Sequence, residues 1–448
     1  MSIPRRGERL LTSPYSGVLP ILRLSPTQTR ANVTSISTHP FASPLIPDSA
    51  GRPGDDPIFA LNAEAQRRKA AGEKVINASL GALIEDDGKL SVMPAVFEAY
   101  SRVDPAKAAA YAPIAGDTVF LDAVIKDVFG DSALADRCAC VATAGGTGAL
   151  HHAIVNFIER GSAVYTSSYY WSPYQIIADH TGRTIETFEM FDAQNRFDLD
   201  AFERGLVDMI DRQGRALVIF NFPCHNPTGY SLDEDEWRAV AKILQREGER
   251  APVNFLLDLA YARYGAEGSG QWVEWLAPIT ETCTLLIAWS ASKAFAQYGS
   301  RVGALLVVGR NEEEKQDVFN ALSYSCRGTW SNCNHLGILA ITELLTDPSL
   351  RQRVDAERVG LVELLGRRVE RFNQEARQYE LRYPRYEGGF FVSVFVENAN
   401  AVAKRCAELG VFLVPMDGAV RIALCSTPMD QIGPLVSTLS AVIEENVN

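Results

Sequence analysis

The stretch Cys283-Thr-Leu-Leu-Ile-Ala-Trp-Ser-Ala-Ser-Lys293-Ala-Phe-Ala-Gln-Tyr-Gly-Ser-Arg301 decides how this chain reads. Its apolar, partly β-branched run to Trp289 predicts a buried strand, which ends abruptly in small hydroxyl residues, one lysine and, eight residues further on, an arginine. A lysine at the end of a buried strand is poorly hydrated, so its ammonium form is disfavoured and its pKa falls toward neutrality. That is the state an imine-forming amine needs. Ser290, Ser292 and Arg301 together offer donors to a phosphate dianion. Alone, the same pattern also describes a strand end whose lysine snorkels to solvent. The residues further out have to decide.

Moving outward, a strand Ala216–Asn221 precedes Pro223-Cys-His-Asn226-Pro-Thr-Gly229, a strand Val253–Leu257 precedes Asp258-Leu-Ala-Tyr261, and a strand Ser162–Tyr165 precedes Tyr169-Tyr-Trp171. Helical segments such as Asp233–Glu247 lie between them. Strands alternating with amphipathic helices predict a mostly parallel sheet, and the polar residues fall at the strands' C-terminal ends, where open α/β sheets bind ligands. Upstream, a strand Cys138–Thr143 runs into Ala144-Gly-Gly-Thr-Gly148 and a helix, an order that turns backbone N–H groups toward an anion. A dinucleotide turn is the competing reading, but its G-x-G-x-x-G pattern would require glycine where His151 stands.

At 448 residues the chain exceeds one ordinary core, so two domains or a large α/β domain with a satellite are expected. A net charge of −12 argues against a nucleic-acid surface, and no apolar run approaches a membrane span. The 8 cysteines include no C-x-x-C pair, and His151-His152 lacks the spacing of a helical metal pair, so free thiols and no metal are expected. Residues 1–45 are rich in arginine and hydroxyl residues with a single acid, Glu8, which reads as a disordered or targeting extension. The expected location is cytoplasmic, or organellar if that segment is a transit peptide. Residues 46–91 read as an N-terminal arm with part of a small domain, 92–345 as the large domain and 346–448 as a smaller α+β domain. The last comprises a helical region interrupted at Asp347-Pro348, then strands around Gly388–Phe395, Val411–Pro415 and Ala419–Leu424.

Taken together, His225-Asn226-Pro-Thr-Gly229, Asp258-x-x-Tyr261 and Ser290-x-Ser-Lys293 with Arg301 resemble the fold-type I pyridoxal-phosphate (PLP) aminotransferases of class I, in their aspartate/aromatic branch. The resemblance runs collinearly from about residue 45 to 448. It implies an α/β fold with a seven-stranded, mostly parallel sheet and a smaller domain. It also implies PLP as cofactor, amino acid and 2-oxo acid substrates, and a homodimer with shared active sites. Lys293 would bind the cofactor as an imine and move the proton, Asp258 would pair with the pyridine nitrogen, and Asn226 and Tyr261 would bond the phenolic oxygen. Trp171 would stack on the ring; Gly146, Thr147, Ser290, Ser292 and Arg301 would hold the phosphate, joined by Tyr111 from the neighbouring subunit. Gly81, Trp171, Asn226 and Arg421 would meet the substrate, Arg421 at its α-carboxylate. Arg327 would reach across the dimer to a distal carboxylate, with Trp330, Phe390 and Phe391 as apolar surface for an aromatic side chain.

Some positions depart from the pattern: Gly145 stands for a serine, Tyr174 for a histidine that often lies near the stacking tryptophan, and Cys333 and Asn334 for prolines in the stretch around Arg327. Three other readings stay open on sequence. One is β-elimination or decarboxylation on the same cofactor. Another is the ligand-sensing half of a regulator, which would need a DNA-binding domain that the first ~50 residues cannot supply. The third, a nicotinamide dehydrogenase, leaves Asp258 and Lys293 unexplained.

Overall fold

Numbered along the chain, the strands are β1 (Ile76–Asn77), β2 (Cys138–Ala144), β3 (Ala163–Ser167), β4 (Thr184–Phe188), β5 (Ala216–Phe220), β6 (Val253–Asp258), β7 (Thr284–Ser290), β8 (Val302–Val308), β9 (Phe391–Phe395), β10 (Val411–Phe412), β11 (Val414–Met416) and β12 (Ala419–Ala423). This computed structural model describes residues 44–52, 54, 57–266, 268 and 270–445. The extension expected over 1–45 therefore lies almost wholly outside the described residues. Residues of the segment up to Gly54 carry one short 3₁₀ turn, Pro47–Ser49.

Seven strands form the central sheet in the order β2-β8-β7-β6-β5-β3-β4. Helix Glu234–Gly248 crosses between the parallel neighbours β5 and β6, Leu199–Gln213 leads from β4 to β5 on either side of β3, and β5, β6 and β8 are buried along their whole length, as a sheet covered on both faces requires. The side chains alternate accordingly. Val218 and Phe220 of β5 join a cluster with Phe188, Phe197, Phe202 and Phe255, while Leu217 and Ile219 pack on the other face with Val141, Leu256 and Leu286.

Strand β8 is absent from the sequence-based expectations, and it alone runs against its neighbours, pairing antiparallel with both β2 and β7. The cause is the short link from β7: residues 291–301 hold only the four-residue helix Ala291–Ala294, too little chain for a parallel crossover, so the strand must return beside its predecessor. This return has a consequence for the site. It sets Gly303 opposite both Ser290 and Thr143, so Arg301 enters β8 beside the C-terminal ends of β7 and β2.

Strands β9, β11 and β12 form an antiparallel sheet in the order β11-β12-β9, and β1 pairs in parallel with β10. Helices Pro348–Gln378, Ala399–Glu408 and Met429–Glu444 accompany them. The predicted break at Asp347-Pro348 is a cap: Asp347 Oδ1 accepts from the backbone N–H groups of Ser349 (2.8 Å) and Leu350 (3.0 Å), and proline occupies the first helical position. Strand β1 stops at Asn77, since beyond it the chain's carbonyls serve other partners, with Ser79 O accepting from Arg421 at 2.8 Å. Arg368, fully buried in the long helix, donates to the carbonyls of Ile84 (2.7 Å) and Cys425 (2.9 Å) and to Asp86 (2.7 Å), tying these segments together. No helix among the described residues is long and apolar enough to cross a membrane.

Candidate active site

A cavity of about 160 Å³ opens at the C-terminal ends of β2, β5, β6 and β7. It is lined by ten of the residues singled out from sequence: Gly146, Thr147, Trp171, Asn226, Asp258, Tyr261, Ser290, Ser292, Lys293 and Arg301. Lys293 reaches it because β7 ends in a tight helical turn. Ser290 caps that turn by accepting from the Ser292 N–H (3.1 Å), and the carbonyls that follow are held by Tyr264 Oη to Lys293 O (3.1 Å) and Arg358 Nε to Ala294 O (2.7 Å). The Lys293 ammonium sits 5.3 Å from the centre of the Tyr261 ring. Burial pushes its pKa down, the nearby Asp258 charge opposes that shift, and Arg301 adds to it. The direction agrees with the expectation from the strand-end position.

Asp258 ends β6 and is 5% exposed. One carboxylate oxygen accepts from Tyr174 Oη (2.8 Å) and the other from the Ala260 N–H (3.1 Å). Burial raises its pKa, and the hydrogen bond from Tyr174 works the other way. Beside it, Asn226 Nδ2 donates to Tyr261 Oη at 3.2 Å, so the amide and the phenol form one polar edge of the cavity. Burial raises the Tyr261 pKa, keeping the phenol protonated. The loop carrying Asn226 is set by a neutral His225, whose Nδ1 lies 2.8 Å from Thr228 Oγ1 and whose pKa burial lowers to about 3.

At the opposite end, Gly146 and Thr147 open the helix Gly145–Phe157, where unpaired N–H groups favour an anion. Arg301 joins them, its guanidinium 3.5 Å from Thr147 Oγ1 and 3.4 Å from Ser292 Oγ. The departure at Gly145 has a steric meaning. Its φ is +69°, and a Cβ there would lie 2.5 Å from Arg301 Nη2, so a side chain at this position conflicts with the present placement of the guanidinium.

Arg421, in β12, is 6% exposed and approaches the polar edge, with Nη1 3.4 Å from Asn226 Oδ1 and its guanidinium 4.4 Å over the Phe391 ring. Gly81 lies against that same ring, where a Cβ would come within 2.7 Å of Phe391 Cζ. Tyr111 and Arg327 are not among the cavity's lining residues. Tyr111 is 91% exposed, and Arg327 is exposed with Nη1 donating to Ser331 Oγ at 2.7 Å. Trp330 does not line the cavity either: it stacks on His152 at 4.4 Å and packs over Gly148. Phe390 is buried against Tyr264, leaving Phe391 as the aromatic beside Arg421.

Asn221 lines the cavity without having been singled out. Its side chain clips two strand ends together, Nδ2 donating to Asp258 O (2.9 Å) and Oδ1 accepting from the Asn226 N–H (2.8 Å). A polar residue closing the apolar run of β5 was the available signal.

The profile of the family described as "Aminotransferase class I and II" matches residues 73–439. The chain belongs to this family. Among its relatives, a tyrosine aminotransferase of Klebsiella pneumoniae is 30% identical over 82% of this chain and 93% of its own. An aspartate aminotransferase of Pseudomonas aeruginosa is 28% identical over 66% of this chain and 74% of its own. The crystal structure of an aminotransferase from Anaerococcus prevotii superposes with a TM-score of 0.85 at 28% identity, covering 90% of this chain and all of that one. The protein is thus a fold-type I aminotransferase, a transferase whose cofactor is PLP. The dehydrogenase and regulator readings are set aside, and elimination or decarboxylation is not favoured. The cavity suits the cofactor on its own chemistry: an anion cup at one end, a buried carboxylate at the other, a phenol and an amide along one edge, and a poorly hydrated amine between them.

Proposed function

We propose that this aminotransferase exchanges amino groups between aspartate or glutamate, and at least one of phenylalanine or tyrosine, and a 2-oxo acid such as 2-oxoglutarate or oxaloacetate. It works in the cytoplasm, or in an organelle if residues 1–45 direct it there, as a homodimer. PLP, when bound, supplies the carbonyl that takes the amino group and a conjugated ring that accepts the electron pair left at the substrate Cα. The chain's own residues do the rest. Gly146, Thr147, Ser290, Ser292 and Arg301 hold the phosphate, Trp171 covers the ring, and Asn226 and Tyr261 donate to the phenolic oxygen. Asp258 keeps a proton at the ring nitrogen. Lys293 Nζ would carry the proton between the substrate Cα and the cofactor's C4′, in one direction in the first half of the reaction and in reverse in the second.

The observation carrying the substrate assignment is Arg421. A guanidinium this buried, facing the cavity edge across Asn226 and resting on Phe391, is a fork suited to an α-carboxylate. Gly81 leaves room beside it for the substrate. Arg327 reads the distal carboxylate from the neighbouring subunit and, by swinging away, admits an aromatic side chain. Replacing Arg327 with leucine is expected to lower kcat/KM for aspartate and glutamate by roughly 2 to 3 orders of magnitude, the scale for losing one partner of a desolvated pair, while sparing phenylalanine and tyrosine. Steady-state assays detecting the 2-oxo acid product decide it, and an equal loss for both classes would remove Arg327 from the reading.

The exposure of Tyr111, and of Tyr324 at 83%, supports a second subunit covering these side chains. Tyr111 would then reach the partner's phosphate. Mixing Lys293→Ala chains with Arg327→Ala chains is expected to restore activity toward dicarboxylates, because one site of each hybrid dimer retains both residues. Absence of recovery after demonstrated subunit exchange would refute the sharing through Arg327.

A further inference from the structure

Tyr174 is buried to 1% exposure on the helix Pro173–His180, whose first turn places it between Tyr170 and Trp171: the Tyr170 ring stacks on it at 6.3 Å and the Trp171 ring meets it edge-on at 5.7 Å. Packed on both sides, the phenol is aimed at a single acceptor, Asp258 Oδ2, at 2.8 Å. The other oxygen of Asp258 takes the Ala260 N–H. We propose that Tyr174 is a positioning residue for the cofactor ring, which acts through Asp258 by keeping the negative charge on that carboxylate and hence the shared proton on the ring nitrogen. This rests on the reading of Asp258 as the partner of that nitrogen.

Two sites compete for one proton. A carboxylate and a pyridine nitrogen that face each other share one proton, and in a buried setting the neutral pair, with the proton on oxygen, competes with the ion pair. Burial already pushes Asp258 toward its neutral acid. Each donor to the carboxylate opposes that transfer, because a hydrogen bond to the charged form favours it. The donors are Tyr174 Oη and the Ala260 N–H; the charged neighbour Lys293 also favours the anion, and Tyr261 is a neutral phenol held protonated by burial. A histidine at this position would offer a donor whose own charge changes near neutral pH. Burial and the Asp258 charge push the phenol of Tyr174 well above its ordinary pKa, so its donation persists throughout the working range.

The test uses full-length protein loaded with PLP carrying ¹⁵N at the ring nitrogen, read by NMR without substrate. Wild type is expected to give a pyridinium-like ¹⁵N resonance that stays constant from mildly acidic to mildly basic pH. Tyr174→Phe, which keeps the ring and its packing, is expected to move the resonance toward the neutral-pyridine position. 3,5-Difluorotyrosine at position 174, nearly isosteric but a stronger donor, is expected to move the resonance further to the pyridinium side, and it keeps the test valid should the phenylalanine variant fold poorly. Asp258→Asn separates the two readings. If Asp258→Asn shifts the resonance and both Tyr174 substitutions leave it at the wild-type value, the role of Tyr174 is refuted. If Asp258→Asn also leaves it unmoved, the assignment of Asp258 falls first.

Discussion

Lys293→Ala is expected to abolish multiple turnover while leaving the protein folded. The loss is large because, in the proposed role of Lys293, two functions disappear together: the amine that anchors the cofactor and the base that moves the Cα proton. Positioned proton transfer alone is worth roughly 10²–10⁴-fold, and loss of the covalent anchor adds to it. The fold tolerates the change because the local turn is held by other groups. Ser290 caps it, Tyr264 and Arg358 bind its carbonyls, and neither contact uses the lysine side chain. Removing a cation from a site where burial already disfavours it also carries little stability cost. The checks are a steady-state transamination assay beside a thermal melt by circular dichroism. Turnover at the wild-type rate would remove Lys293 from the mechanism; an early melt would show a structural lysine.

Asp258→Asn is expected to give the second-largest loss, at least about 10²–10³-fold in kcat, the scale for removing one charge-stabilising partner in a preorganised site. The amide matches the carboxylate in shape, and its oxygen can still accept from the Ala260 N–H or from Tyr174. What it lacks is the charge that, in the proposed role of Asp258, holds a proton on the ring nitrogen, so the ring would draw electrons from Cα less strongly. Single-turnover kinetics with an amino donor report that step directly. A near-normal rate would mean that the nitrogen has a different partner.

The legible part of this protein was local. Asp258 stands where an apolar run stops and Lys293 and Asn226 follow within a few residues of one, and a period-2 or unbroken apolar pattern announces the strand in each case. The break at Asp347-Pro348 was legible for the same reason, since it depends only on adjacent residues. Strands β4 and β8 were not singled out. The residues of β4 are mostly exposed or half-buried, with only Phe188 fully buried, so its alternation is weak. Strand β8 has a clear apolar run, but its antiparallel direction follows from the length of the link before it and the two neighbours it must fit between.

The sequence by itself determined the alternation of strands and helices, the strand ends that carry the site's chemistry, and the family resemblance, because each is written in short-range pattern. Only the tertiary structure decided what those residues touch. It turned the departure at Tyr174 into a hydrogen bond to Asp258, set the Arg301 guanidinium in the space above Gly145, and left Arg327 and Tyr111 off the cavity. Contacts of this kind join segments far apart in the chain, 84 residues in the case of Tyr174 and Asp258, and depend on packing that no local pattern encodes.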